Sequence, residues 1–183
     1  SPTTTASPTS TATSTVSPFN CADLGVEFNS ANDRSGQVFL DIFNYHGNLD
    51  VPETQMLELT EVNLRWNQSV IGTSAYVQSQ FLNGVDLLWF GENSTADFTL
   101  STDPNASDVT GDAQSTFVDA YRRIPPLGPP PNQSFSQWVG VFRNNLAPLT
   151  PSVFSGTSFT FFDPVTNTTC EVLLNVPPVD EVP

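Results

Sequence analysis

Thr60-Glu61-Val62-Asn63-Leu64-Arg65-Trp66 alternates without interruption. Val62, Leu64 and Trp66 fall on one side, and Glu61, Asn63 and Arg65 on the other. Successive side chains take opposite sides only in extended backbone, so this stretch reads as a strand with one face in a core and one in water. The same reading extends outward in both directions. Gln37 to Tyr45 sets Val38, Leu40 and Ile42 on one face and Phe39 and Phe43 on the other, which predicts a strand covered on both sides. Further strands are predicted over Ala75–Phe81, Val85–Phe90, Ala96–Leu100, Thr116–Tyr121, Phe135–Phe142, Ser158–Phe162 and Thr169–Val176. Turn-forming residues lie between them, at Asn32-Asp33, His46-Gly47-Asn48, Asn83-Gly84, Asp103-Pro104-Asn105 and Thr110-Gly111-Asp112.

No segment sustains a 3.6-residue apolar period with caps, and 16 prolines with 10 glycines disfavour long helices. Many short strands between regular turns predict an all-β protein, an antiparallel β-sandwich. Ile124-Pro125-Pro126-Leu127-Gly128-Pro129-Pro130-Pro131 is excluded from any central strand, because proline donates no ladder hydrogen bond. It is expected to be a rigid surface crossing between two core strands.

The strand pattern starts after a different kind of sequence. Residues 1–19 form an arm whose first eighteen positions hold seven Thr, five Ser and three Pro. This composition cannot bury enough apolar surface to fold alone, and proline biases it toward polyproline II, with a reach of about 60 Å at ~3.1 Å per residue. Dense hydroxyls beside proline are the composition of O-glycosylated stalks. The candidate acceptors are Thr3, Thr4, Thr5, Ser7, Thr9, Ser10, Thr11, Thr13, Ser14, Thr15 and Ser17. The body, residues 20–176, is long enough for one domain with a real core. Residues 177–183 are again proline-rich and acidic. Joined end to end, the tail and the arm would form one linker, so the chain reads as one repeat of a longer one, with Ser1 a mature or excised start.

Charge narrows the partners. The chain carries -14, from 19 acidic residues against five arginines (Arg34, Arg65, Arg122, Arg123, Arg143) and no lysine. Phosphate backbones and anionic lipid surfaces need clustered cations, which argues against nucleic acid and membrane-surface binding. The missing lysine removes P-loop, Schiff-base and intrachain isopeptide chemistry. No apolar run approaches the ~20 residues of a membrane span, so no membrane insertion is expected.

Cys21 and Cys170 are the only cysteines, one directly after the arm and one near the far end. An even count in a chain of extracellular composition predicts a disulfide between them, two buried free thiols being the alternative. Five positions match the N-glycosylation acceptor pattern: Asn67, Asn93, Asn105, Asn132 and Asn167, each near a predicted turn or strand end.

Together these pieces resemble a known type of module. Cys21 opens the first strand, Gln37 to Asn44 ends in Asn, and a third strand ends in Leu64-Arg65-Trp66. Leu88-Trp89-Phe90-Gly91 follows, and the end runs through Phe159-Thr160-Phe161 to Cys170-Glu171-Val172. In that order, from Cys21 to about Leu174, the chain resembles the immunoglobulin-like, disulfide-closed modules that follow Thr/Pro-rich spacers in bacterial surface proteins, notably those of filamentous Chloroflexi-type bacteria. It departs from them in the long segment between Trp66 and Trp89 and in an apparent insertion from Asp103 to Pro131. The resemblance implies an immunoglobulin-like sandwich with a structural or adhesive role and no catalytic residues to carry over.

The remaining candidates for chemistry are weak. Trp66, Trp89 and Trp138 could form a sugar-stacking platform, but Trp66 and Trp89 keep phase with core residues, which favours packing; the side taken by Trp138 is open. His46 is the only histidine and has no triad around it. Glu58 and Glu61 as a glycosidase pair are better explained by solvated strand faces. Asp103, Asn105, Ser107, Asp108 and Asp112 offer oxygens to calcium, yet Asp108 and Gln114 stand where a calcium loop needs glycine and glutamate. No enzyme activity, cofactor or metal is expected. The sequence reads as a structural subunit or repeat of an extracellular glycosylated filament or surface stalk, whose partners are covalent glycans and copies of itself, docked through arm or tail. A carbohydrate-binding or adhesion module of a larger secreted protein is the second reading.

Overall fold

The computed structural model describes residues 20–45, 56–101, 122–127 and 135–176. The arm, the tail, the candidate strand 116–121, the calcium-like loop, His46, Asn105 and Asn132 lie outside the described residues. Within them the chain is all-β. In order come β1 (Leu24–Asn32), β2 (Gln37–Asn44), β3 (Leu57–Arg65), α1 (Gln68–Ile71), β4 (Tyr76–Leu82), β5 (Asp86–Asn93), β6 (Asp97–Ser101), β7 (Arg123–Ile124), β8 (Ser136–Arg143), β9 (Ser158–Asp163) and β10 (Thr168–Asn175). Short 3-10 turns occupy Cys21–Asp23 and Pro151–Phe154.

The strands hydrogen-bond in the order β5-β4-β8-β2-β1-β10-β9-β3-β6, with β7 beside the start of β3. Every pairing is antiparallel except one. β1 and β10 run parallel, with Val26 opposite Leu174 and Glu27 opposite Asn175. The expectation of an antiparallel sheet throughout is therefore corrected to a curled mixed sheet. The reason is covalent: Cys21, just ahead of β1, is bonded to Cys170 inside β10, so both strands run away from one clip in the same direction.

The curl brings the two halves of the sheet face to face. Trp138 of β8 meets Phe159 of β9 edge-on at 5.8 Å, Trp66 after β3 meets Phe142 of β8 at 5.6 Å, and Trp89 of β5 meets Phe98 of β6 at 4.8 Å. Around these rings lie Val38, Leu40 and Ile42 from β2 and Leu59, Val62 and Leu64 from β3, all buried. The tilted and edge-on geometries are the ones aromatic quadrupoles favour.

The stretch that opened the reading is the middle of β3, whose phase changes at Thr60. Leu57 and Leu59 are buried before it and Val62 and Leu64 after it, because a bulge shifts the register against β9 between Leu59 and Glu61. The Thr60 hydroxyl donates to the Thr160 carbonyl at the irregularity. Simple alternation therefore located only the second half of the strand. The strand expected to open at Cys21 begins at Leu24. Asn20 captures the Ala22 amide with its side chain and the Asp23 amide with its carbonyl, holding Cys21–Asp23 in a tight turn.

The proline-rich crossing also needs correction at its start. Ile124 is fully buried and pairs with Leu57. Pairing stops at the first proline, as the missing N–H requires, and Leu127 then donates its amide to the Asn44 carbonyl at 2.7 Å.

Candidate functional site

The disulfide decides how the domain sits between its two flanking segments. Cys21 and Cys170 are bonded, with Cα atoms 5.5 Å apart and a sequence separation of 149. Cys170 is buried and Cys21 exposed. Cys21 follows the arm directly, and beyond Cys170 only Glu171 to Val176 remain before the tail. The covalent route from arm to tail thus crosses the sulfur bridge and runs up β10, about 20 Å at ~3.4 Å per residue. Everything between residues 22 and 169 is a side loop to that route.

Three of the five N-glycosylation candidates are described. Asn67 is exposed and caps α1: its Oδ1 accepts from the Ser69 amide at 3.1 Å and the Ser69 hydroxyl at 2.6 Å. Asn93 is half-buried at the end of β5, and its Oδ1 accepts from the Thr95 amide at 2.8 Å. Asn167 is exposed in the β9–β10 turn, where it takes φ 57°, a left-handed conformation that asparagine tolerates better than most residues. Asn67 and Asn93 are neighbours, because the Gln68 side chain donates to the Ser94 carbonyl. All three lie in turns or strand ends, as the sequence indicated.

The tryptophan platform does not exist. Trp66, Trp89 and Trp138 are 4%, 5% and 0% exposed. Trp138, whose side the sequence left open, points inward, because register places it opposite Leu40 on the core face of β2. The exposed rings lie elsewhere. Tyr45 is 63% and Phe135 43% exposed, and half-buried Phe43 links them. The Phe43 and Tyr45 rings lie 6.0 Å apart and within 6° of parallel, and Phe135 sits 5.7 Å from Phe43, tilted by 47°. Sequence pattern placed Phe43 on the face of β2 opposite Val38, Leu40 and Ile42. It did not show that this face leads to open rings.

Nothing in the described residues builds a catalytic constellation around the acidic side chains. Glu58 and Glu61 are half-buried on either side of the β3 bulge, and Glu58 lies opposite Arg123 of β7. Asp41 is buried on the outer face of β2, where its two oxygens accept from the Asn29 amide at 2.6 Å and the Gln137 amide at 2.9 Å. No group of three or more His, Cys, Asp or Glu that could hold a metal ion occurs among the described residues. None of their helices is long and apolar enough to cross a membrane. The disulfide is compatible with an oxidising, extracellular setting. Comparison with protein-family models, with curated proteins and with solved structures finds no match to this chain.

Proposed function

We propose that this chain is a structural module of an extracellular assembly: a disulfide-closed, immunoglobulin-like bead carried between a glycosylated Ser/Thr/Pro-rich arm and a proline-rich tail. One observation carries the reading. The Cys21–Cys170 bond closes the domain at the point where the arm enters and six residues before the tail begins. A force applied through arm and tail passes through one S–S bond and a short piece of β10, leaving the core unloaded. Such an arrangement suits a spacer or fibre subunit that must keep its fold under tension.

Composition supports the same role. The chain's charge of -14 keeps the beads apart in solution, and the arm offers hydroxyls for glycans while contributing no charge of its own. Assembly then rests on continuous chain or on packing between copies, since isopeptide linkage through lysines of this chain is unavailable. Chloroflexi-type surface modules are the resemblance that fits this role.

The test is direct. Native material is examined by electron microscopy and its arm peptides by mass spectrometry. Filaments or strings of beads with hexose-bearing arm peptides are the expected result. A monodisperse monomer with an unmodified, protease-sensitive arm would end this reading.

A further inference from the structure

The two outer faces of the curled sheet differ in kind. On the half made by β10, β9, β3 and β6, Glu58, Glu61, Arg65, Asp97 and Glu171 alternate with core residues and so point outward. On the half made by β2, β8, β4 and β5, two rows of paired residues cross the outer face. Phe39, Val139, Phe81 and Leu87 form one row, and Gln37, Val141, Ser79 and Phe90 the next. None of the eight carries a charge. Phe90 is 57% exposed, and Phe39, Phe81 and Leu87 are half-buried. Toward the entry end the same face runs on to Phe43, Tyr45 and Phe135. The acidic side chain between, Asp41, is buried, and its two oxygens are taken by the Asn29 and Gln137 amides. Arg143 stands at the opposite end of the face, held by the Gln78 side chain and the Ser35 carbonyl.

We infer that this uncharged face docks against the same face of a second copy of the chain, as a two-fold, sheet-on-sheet contact. Area and charge select that occupant. With roughly 150–250 Å² for a whole aromatic side chain, the exposed apolar surface here is on the order of 500 Å². That lies at the upper end of the largest patch on a monomer. With the polar atoms between, it approaches the ~800 Å² that each side of a stable interface needs. Each copy carries -14, so two copies repel over most of their surfaces. The acidic half would set Glu58, Glu61, Asp97 and Glu171 of one copy against those of the next, and its one cation, Arg65, is already paired with Asp97 at 3.3 Å. The uncharged half is where two copies meet at least cost, whereas a basic partner would be drawn to the acidic half. The acceptor asparagines Asn67, Asn93 and Asn167 all lie outside the two rows, so glycans there leave the face clear. The inference rests on the structural reading above for the supply of neighbouring copies, and it assigns the face by which they pack.

The experiment is sedimentation equilibrium of the full, aglycosyl chain from about 10 μM to about 1 mM, where a monomer–dimer equilibrium with a Kd of about 100 μM is expected. Phe90→Glu should weaken the dimer about tenfold or more. Leu173→Glu adds the same charge at a residue 65% exposed on the acidic half, and should leave the Kd unchanged. Both positions are exposed, and far-ultraviolet circular dichroism verifies that each variant folds. Sedimentation reads the isolated chain and electron microscopy the native material, so the two readings fail separately. A dimer weakened by Phe90→Glu, in material that forms no filaments, upholds the docking face and ends the structural reading. Filaments built from a chain that stays monomeric at about 1 mM do the reverse. Undiminished dimerisation in Phe90→Glu, or an equal loss in Leu173→Glu, also overturns the inference.

Discussion

The indole nitrogen of Trp138 donates a hydrogen bond of 3.1 Å to Oε1 of Gln80, and neither residue has any exposed surface. Gln80 lies on β4, Trp138 on β8, and Trp138 packs edge-on against Phe159 from the opposite half of the sheet. One polar contact therefore fixes the ring at the centre of the core.

Gln80→Leu leaves the Trp138 N–H buried without its acceptor, which costs about 1–3 kcal/mol. The loss is partly offset, because the amide nitrogen of Gln80 has no protein partner in the wild type. Trp138→Phe removes the donor and ring volume, and about 2–4 kcal/mol is expected. In urea melts the double variant should be less destabilised than the sum of the two singles by about 1–2 kcal/mol. Strict additivity would show that the bond contributes nothing.

Breaking the disulfide removes the closure of a loop of about 150 residues. Cys21→Ser with Cys170→Ser should lower stability by up to about 5 kcal/mol in the chain-entropy model. Single-molecule stretching reads the same bond mechanically. The oxidised chain, pulled from arm and tail, should show no long unfolding step. Under reductant a step of about 500 Å should appear, from the 149 positions released at ~3.3–3.6 Å each. A long step in the oxidised chain would contradict the bypass.

Gly36 ends the β1–β2 turn at φ +69°, and a Cβ there would collide with the Phe142 carbonyl, which lies beside the Gly36 backbone because the Phe142 amide donates to the Gly36 carbonyl at 2.7 Å. Gly36→Ala combines a left-handed backbone penalty of about 1–2 kcal/mol with that collision. A total loss on the order of 3 kcal/mol is expected in thermal or denaturant melts. Gly84 takes φ +74° but has open space around it, so Gly84→Ala should cost only the backbone term. Equal losses at the two positions would rule out the steric contribution.

Expression through a eukaryotic secretory pathway, followed by glycopeptide mapping, should find glycan on Asn67 and Asn167, both exposed. Occupancy at half-buried Asn93 should be lower. Asn67→Gln removes both the acceptor and the cap of α1, so it should also destabilise the domain by about 0.5–2 kcal/mol. Full occupancy at Asn93 with none at Asn67 would invert the order that exposure sets.

Apolar patterning between turn signals was enough to locate the middle of β3, all of β2 and most of β4, β5, β6, β8, β9 and β10, although β8 is buried along nearly its whole length and carries no clean period of two. Alternation did not mark β1, which only the resemblance placed, opening at Cys21, since the bulge between Phe28 and Ser30 breaks its period after three inward residues. β7 was hidden by the prolines beside it, although Ile124 itself is core. α1 is a single turn, too short to produce a helical period. The cysteine pair and the acceptor asparagines were legible as residue types, but the cluster of exposed rings was not. Phe43, Tyr45 and Phe135 are 92 positions apart at their extremes, and only the pairing of β2 with β8 brings them together.

Composition and local pattern alone determined that this is an acidic, lysine-free, all-β chain with one possible intramolecular disulfide, because charge, cysteine count and side-chain alternation are properties of residues and their nearest neighbours. The parallel join of β1 to β10, the inward turn of Trp138 and the ring cluster at the entry end were decided only by the tertiary structure. Each depends on which strands meet and in which register, and that is set by the curl of the whole sheet around its buried aromatic rings.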